Sequence, residues 1–301
     1  MKTNLAQFET FYWVARLGGF HAAARRQGLT QPTVSVRVRE LETALGVRLF
    51  DRSRRRAEIT PDGQEVLERA EQILRLAGDI EQSVRQRGPL HGLLRLGAVE
   101  TVALTTLSNL LPRLRAAFPD LRVELSVDMG TTLSRKLNAR DLDIAVITDP
   151  QLGDGLVAEP VGRIVLRWVA SPRLGLPRRS LTPADLAAFQ IFTGSEPSTL
   201  RSVALDWFRQ AGLEPALVNS SNSHMLMAQF VAANHGVAVL PPAILGAEIR
   251  AGLVRVLTTR PPVEPPHLYI CGPRDRRRAE LRPVVEMIRE ALRRSGLFGT
   301  G

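Results

Sequence analysis

Hydrogen-bond donors and cations are concentrated between residues 30 and 56 of this chain. Thr30, Gln31, Thr33, Ser35 and Arg37, with Pro32 among them, place hydroxyl, amide and guanidinium groups along the opening of one helix. Arg48, Arg52, Arg54, Arg55 and Arg56 crowd around and after Phe50, offset in part by Asp51. Donors of the first kind suit base edges in a major groove. Arginines of the second kind suit phosphates or a narrow minor groove. Taken singly, a polar helix face is usually solvated and an arginine run is usually surface charge. Their conjunction with the turn chemistry around them points to duplex DNA.

Elements must hold these groups in place. Leu5, Phe8, Tyr12 and Ala15 recur at helical spacing and predict a first helix with one buried stripe, stopped by Gly18 and Gly19. Ala22, Ala23 and Ala24 predict a short second helix whose small side chains permit close packing, with Gly28 at its left-handed end. Thr30 is placed to cap a third helix that tolerates Pro32 in its first turn. Val34, Val38, Leu41 and Leu45 form its expected core face, which leaves Gln31, Thr33, Ser35 and Arg37 on the exposed N-terminal half. The three parts make a helix-turn-helix, and the basic hairpin after it makes the motif winged.

Composition sets bounds on the rest. At 301 residues there is room for this small unit and one or two larger domains, and 44% hydrophobic with 23% charged residues describes an ordinary globular protein. The formal charge is +10, of which +5 falls within residues 1–63, as a polyanionic partner requires. A second basic group, Arg274 and Arg276 to Arg278, reads as a solvated helix end. Cys271 is the single cysteine, so no intrachain disulfide forms and an inert buried thiol is expected. No secretory signal or membrane-spanning apolar run is read, and a cytoplasmic location is expected.

Thr60 and Pro61 open a long helix running to about residue 87. Its seam of Val66, Ala70, Ile73, Ala77, Ile80 and Val84 suits pairing with a second copy, against the alternative of packing on its own domain. Gly88-Pro89-Leu90-His91-Gly92 reads as a hinge. Strand and helix patterns then alternate: a strand over 93–99, a helix over 106–118, a strand over 122–127, a helix over 131–139 and an apolar strand over 142–147. A second series follows, and a final helix over 279–295 returns to the first half. Such alternation predicts a mostly parallel sheet covered by helices, hence an α/β fold overall. Ligands in such sheets bind at strand carboxyl ends near helix N-termini. That logic selects Glu100, Thr101, Thr131 and Thr132, with Phe192, Thr193, Asn222 and Ser223 across a cleft. Each could equally be a cap or turn residue. A Glu100 free in the cleft would favour a cationic effector; pointing to solvent or pairing with an arginine, it would not.

The chain resembles the LysR-type transcriptional regulators. The matching residues are Phe20, Ala23-Ala24, Gln31-Pro32, Val34-Ser35, Leu41-Glu42, Leu45-Gly46, Leu49-Phe50, Arg52 and Thr60-Pro61-Asp62-Gly63. Departures are Gly19 for a capping Ser, Gln27 for a core Leu, Val36 for a frequent Arg, and Arg140 for a turn Gly. The resemblance implies a winged helix-turn-helix over 1–63, a dimerisation helix over 64–87 and a hinge over 88–92. It further implies an effector-binding domain over 93–301, like a periplasmic binding protein, with one subdomain at about 93–163 and 269–301 and the other at about 164–268. It implies hydroxyl or amide contacts to an effector from Thr101, Thr131 and Thr193. It also implies a dimer or tetramer on an interrupted inverted repeat, and RNA polymerase as a partner.

An enzyme is not expected. His21, His91, His224, His235 and His267 are scattered and form no metal-ligand spacing with the cysteine, and neither a phosphate loop nor a nucleophile elbow occurs. No metal or cofactor is expected. The rival reading is an architectural DNA-binding protein or repressor whose sensor domain has lost its function.

Overall fold

A computed structural model describes residues 3–51, 58–85 and 90–299, which fall into two compact units divided after residue 88. The first unit holds α1 (Leu5–Leu17), α2 (Phe20–Gln27) and α3 (Gln31–Leu45), a short hairpin of β1 (Phe50–Asp51) and β2 (Glu58–Ile59), and α4 (Pro61–Arg85). Asn4 and Gln7 form a reciprocal capping box at the start of α1. The turn between α2 and α3 needs a left-handed residue, and Gly28 supplies it at φ +65°. Thr30 then accepts the Thr33 N–H and caps α3.

The core of this unit is Phe8, Phe11, Val14, Ala23, Ala24, Val34, Val38, Leu41, Leu49, Phe50, Leu67 and Ala70. Phe50 joins its parts, its ring 5.5 Å from Phe11 and 5.6 Å from Phe20. Two expected core positions are exposed instead: Leu5, in the opening turn of α1, and Leu45, the last residue of α3. The stripe of α1 runs through Phe8, Phe11 and Val14, because those positions face α2, α3 and α4, while residues at the helix tips project past their neighbours. Glu42 accepts the Leu49 and Phe50 N–H groups at 2.9 and 3.3 Å, and so fixes the strand to α3. Thr60 caps α4 through the Gly63 N–H, and a Cβ on Gly63 would collide with the Leu49 carbonyl oxygen. The first half of α4 packs on its own unit through Val66, Leu67 and Ala70, whereas Ile73, Leu76 and Ile80 are 38%, 47% and 64% exposed. The side chain of Val84 lies outside the described residues.

The second unit has two five-stranded sheets. Its elements are β3 (Gly92–Ala98), α5 (Glu100–Val102), a π-helical turn (Ala103–Leu107), α6 (Ser108–Ala117), β4 (Leu121–Val127), α7 (Gly130–Asn138), β5 (Ile144–Thr148) and β6 (Leu156–Arg163). Then come β7 (Arg167–Ala170), α8 (Pro183–Leu186), β8 (Gln190–Gly194), α9 (Thr199–Arg209), β9 (Leu217–Ser221), α10 (His224–Ala232), β10 (Val237–Leu240), α11 (Gly246–Arg250), β11 (Arg255–Val256), β12 (His267–Pro273) and α12 (Arg276–Arg293). The first sheet runs β4-β3-β5-β12-β6 and the second β11-β7-β10-β8-β9.

In each sheet one half is parallel and the other antiparallel, against the expected mostly parallel arrangement. The antiparallel strands have a topological cause. β6 carries the chain out of the first sheet and β12 brings it back, so both bypass the helical crossover that keeps successive strands parallel. The central strands β5 and β10 are buried nearly end to end, as strands covered on both faces must be. In the second lobe Trp168 is fully buried, with its ring 5.1 Å from Trp207 and 5.5 Å from Phe208.

Candidate functional site

On α3 the burial of Val34, Val38 and Leu41 turns Gln31, Pro32, Val36 and Arg39 to solvent, with Thr33 and Ser35 half-buried beside them. Gln31 Nε2 donates to Ser35 Oγ at 3.0 Å, which holds the two candidate base readers together one helical turn apart. Thr30 and Thr33 share a hydroxyl contact of 2.8 Å, so Thr30 both caps the helix and orients its neighbour. Arg37 is drawn the other way. It is half-buried and its Nη1 donates to Thr10 Oγ1 on α1 at 3.4 Å. The arginine that continues the Gln31–Ser35 stripe at the next turn is Arg39, which sequence reasoning missed although the spacing of four residues signals it. Arg52, Arg54, Arg55 and Arg56 lie outside the described residues.

In the second unit, the carboxyl ends of β3, β4, β5, β8 and β9 converge on a cavity of about 1000 Å³ between the two lobes. Glu100, Thr101, Thr131, Asn222 and Ser223 line it, as do Asp128, Thr148, Asp149, Thr199, Arg201 and His224. Thr132, Phe192 and Thr193 do not. Thr132 is half-buried on α7, and Thr193 is buried within β8. Phe192 is buried too, its ring stacked at 5.0 Å on Phe230. β8 alternates its side chains between two covered faces, so residues before its carboxyl end pack into the lobe instead of the cleft.

Two polar bridges cross the cleft. Ser223 Oγ donates to Glu100 Oε1 at 3.1 Å, and the His224 backbone N–H donates to Glu100 Oε2 at 2.5 Å. Glu100, following a strand of the first lobe, thereby caps α10 of the second, where the helix dipole favours a carboxylate. It does not point freely into the cleft, and among the described residues it pairs with no arginine. The His224 ring adds a contact of its Nδ1 to Thr101 Oγ1 at 3.1 Å and lies 3.5 Å from Glu100 Oε2. Burial pushes the His224 pKa down while the Glu100 carboxylate opposes it. The second bridge joins Thr148 Oγ1 to Thr199 Oγ1 at 2.9 Å. Around the rim, Arg201 donates to Glu196 at 2.8 Å and Arg209 pairs with Asp206, so both lining arginines are engaged by carboxylates.

His224 was not among the sequence candidates. Its signal was the Asn222-Ser223 cap itself, which places the next residue at a helix N-terminus facing the cleft. Among the described residues no group of three or more His, Cys, Asp and Glu side chains could hold a metal ion, and no helix is long and apolar enough to cross a membrane.

Comparison with known proteins assigns both units. Residues 5–64 match the family described as bacterial regulatory helix-turn-helix protein, lysR family, and residues 87–293 match the LysR substrate binding domain. The transcriptional regulator CfxR of Cupriavidus necator is 31% identical over 84% of this chain and 80% of its own length. A probable hydrogen peroxide-inducible genes activator of Streptomyces viridosporus is 30% identical, over 85% and 83%. The crystal structure of CbnR, a LysR family transcriptional regulator, covers 96% of this chain and 99% of its own at a TM-score of 0.69 and 22% identity, a likeness of fold. The chain belongs to the LysR family of DNA-binding transcriptional regulators, with a helix-turn-helix domain and a LysR substrate-binding domain.

Proposed function

We propose that this regulator binds an interrupted inverted repeat as a dimer, assembling further to a tetramer, and that a small molecule in the cleft between the lobes of its substrate-binding domain alters the bound geometry. RNA polymerase access to the promoter follows from that geometry, and the protein works in the cytoplasm. The cavity into which the parallel strands of both lobes end is the observation that carries the effector reading. A ligand there touches both lobes, so it binds the open and closed arrangements with different affinity, as any switch requires.

The cleft also bears on the effector's charge. The N-terminus of α10, the natural seat of an anion, is already held by Glu100, and Asp149 adds a further carboxylate to the lining, Asp128 being paired with Lys136 at 3.7 Å. These features favour a neutral or cationic effector over a simple organic acid. Thiol oxidation is disfavoured as the signal, because Cys271 is buried on β12.

Footprinting of the intergenic region beside its own gene, with panels of amines, neutral metabolites and organic acids, tests the reading. A footprint altered by an amine or neutral compound supports it. A footprint that no compound alters, together with an unshifted melting temperature, points to an architectural DNA-binding protein.

A further inference from the structure

Val36 is an apolar side chain, 47% exposed, at the crest of α3. At about 100° per residue, it lies nearly opposite the mean direction of Val34, Val38 and Leu41, the buried stripe of the same helix. In a helix-turn-helix, the face opposite the core enters the major groove, so the residue at the crest comes nearest the base edges. Pro32, one turn earlier on the same face, is also exposed and apolar. This apolar pair stands between the Gln31–Ser35 pair on one side and Thr33 on the other. Exposed Arg25, Arg39 and Arg48 in the same unit supply the positive charge that a duplex requires around such a surface.

The major groove offers an apolar feature on only one of its bases. Guanine, adenine and cytosine present acceptors and donors there, and thymine adds a 5-methyl group. An isopropyl side chain gains nothing from a phosphate and leaves a donor or acceptor on another base dehydrated and unpaired. We propose that Val36 reads a thymine 5-methyl group in each half-site, with Pro32 as the second wall of the contact. Val36 is then a specificity-determining residue of the DNA-binding function.

The test uses the full-length protein and a duplex selected by it from a random-sequence pool. Thymines in the protected half-sites are replaced one at a time by deoxyuridine, which removes the methyl and keeps the pairing edge. One position per half-site is expected to lose affinity by about three- to tenfold, the scale of one buried methyl contact. Val36→Ala is expected to bind the thymine duplex more weakly and to lose most of the uracil penalty, keeping only the part that Pro32 and the remaining methyl supply. Its melting temperature should match the parent, since the side chain is exposed. Wild-type indifference to every replacement overturns the proposal, as does a Val36→Ala protein that keeps the full uracil penalty. Failure of the DNA-binding function itself would look different: no preference for the selected duplex over a scrambled one.

Discussion

Glu100 and His224 sit on opposite lobes of the substrate-binding domain, yet the backbone N–H of His224 donates to Glu100 Oε2 at 2.5 Å. The same carboxylate accepts from Ser223 Oγ, whose oxygen in turn accepts the Leu226 N–H at 3.3 Å. One acidic side chain therefore completes the cap of a helix in the other lobe, and the two halves of the cleft are joined by a charge-assisted contact.

Removing that carboxylate has a cost of a known scale. Glu100→Ala leaves the first N–H of α10 without its partner and should destabilise the domain by about 1.5–3 kcal/mol, the usual range for hydrogen bonds to a charged group. Chemical denaturation of the full chain measures it. A change within the error of the two curves would mean that the lobes hold together without this contact.

Stability should also depend on pH through His224. Burial holds its folded-state pKa below the ordinary value of 6.5. The unfolded chain thus binds the proton more readily, so this group's contribution is fully present above pH 6.5 and is lost as pH falls through the lower folded value. Melting temperature should drop below that pH in the wild type, and less steeply in His224→Asn. Parallel profiles for the two proteins would assign the acid sensitivity elsewhere.

The exposed seam of α4 offers a test of self-association. Ile73, Leu76 and Ile80 lie apart from the residues that α4 buries in its own unit. If the proposed dimer grips two half-sites, replacing all three by Ser should shift sedimentation toward the monomer and weaken operator binding by well over tenfold. A variant that sediments unchanged would place the dimer contact outside this helix.

Cys271 is expected to be silent. Burial pushes its thiol up to about 12, so almost no thiolate is present at neutral pH. Ellman's reagent should label it only after denaturation, and hydrogen peroxide should leave operator affinity unaltered. Rapid labelling of the native protein would contradict this.

Arg140 stands at φ +60°, a left-handed conformation disfavoured for a residue with a Cβ. Arg140→Gly should therefore raise stability by up to about 1 kcal/mol, the left-handed penalty less the entropy cost of glycine, reduced by whatever its exposed 3.8 Å pairing with Asp275 contributes. A calorimetric melting scan would show the change. A lowered melting temperature would mean that the ion pair outweighs the backbone strain.

The sequence alone determined the reading unit, because its signals are local. Thr30 caps the helix it precedes, Gly28 supplies the one left-handed residue in the turn, and Val34, Val38 and Leu41 repeat at the period of the helix they build. Alternating strand and helix patterns likewise marked a second, α/β domain, and caps such as Asn222-Ser223 marked helix starts near its cleft. Contacts between elements distant in sequence were decided only by the tertiary structure. Arg37 turned to Thr10 on α1 while Arg39 stayed exposed, since the packing of neighbouring helices fixes where a long side chain goes. The strands β6 and β12 ran antiparallel because the chain leaves a sheet and returns to it. Glu100 met Ser223 and His224 across more than a hundred residues. Periodicity and capping report what a residue does for its own helix or strand. The partner of a carboxylate in a cleft is set by how two lobes pack around one shared core, and no local pattern encodes that.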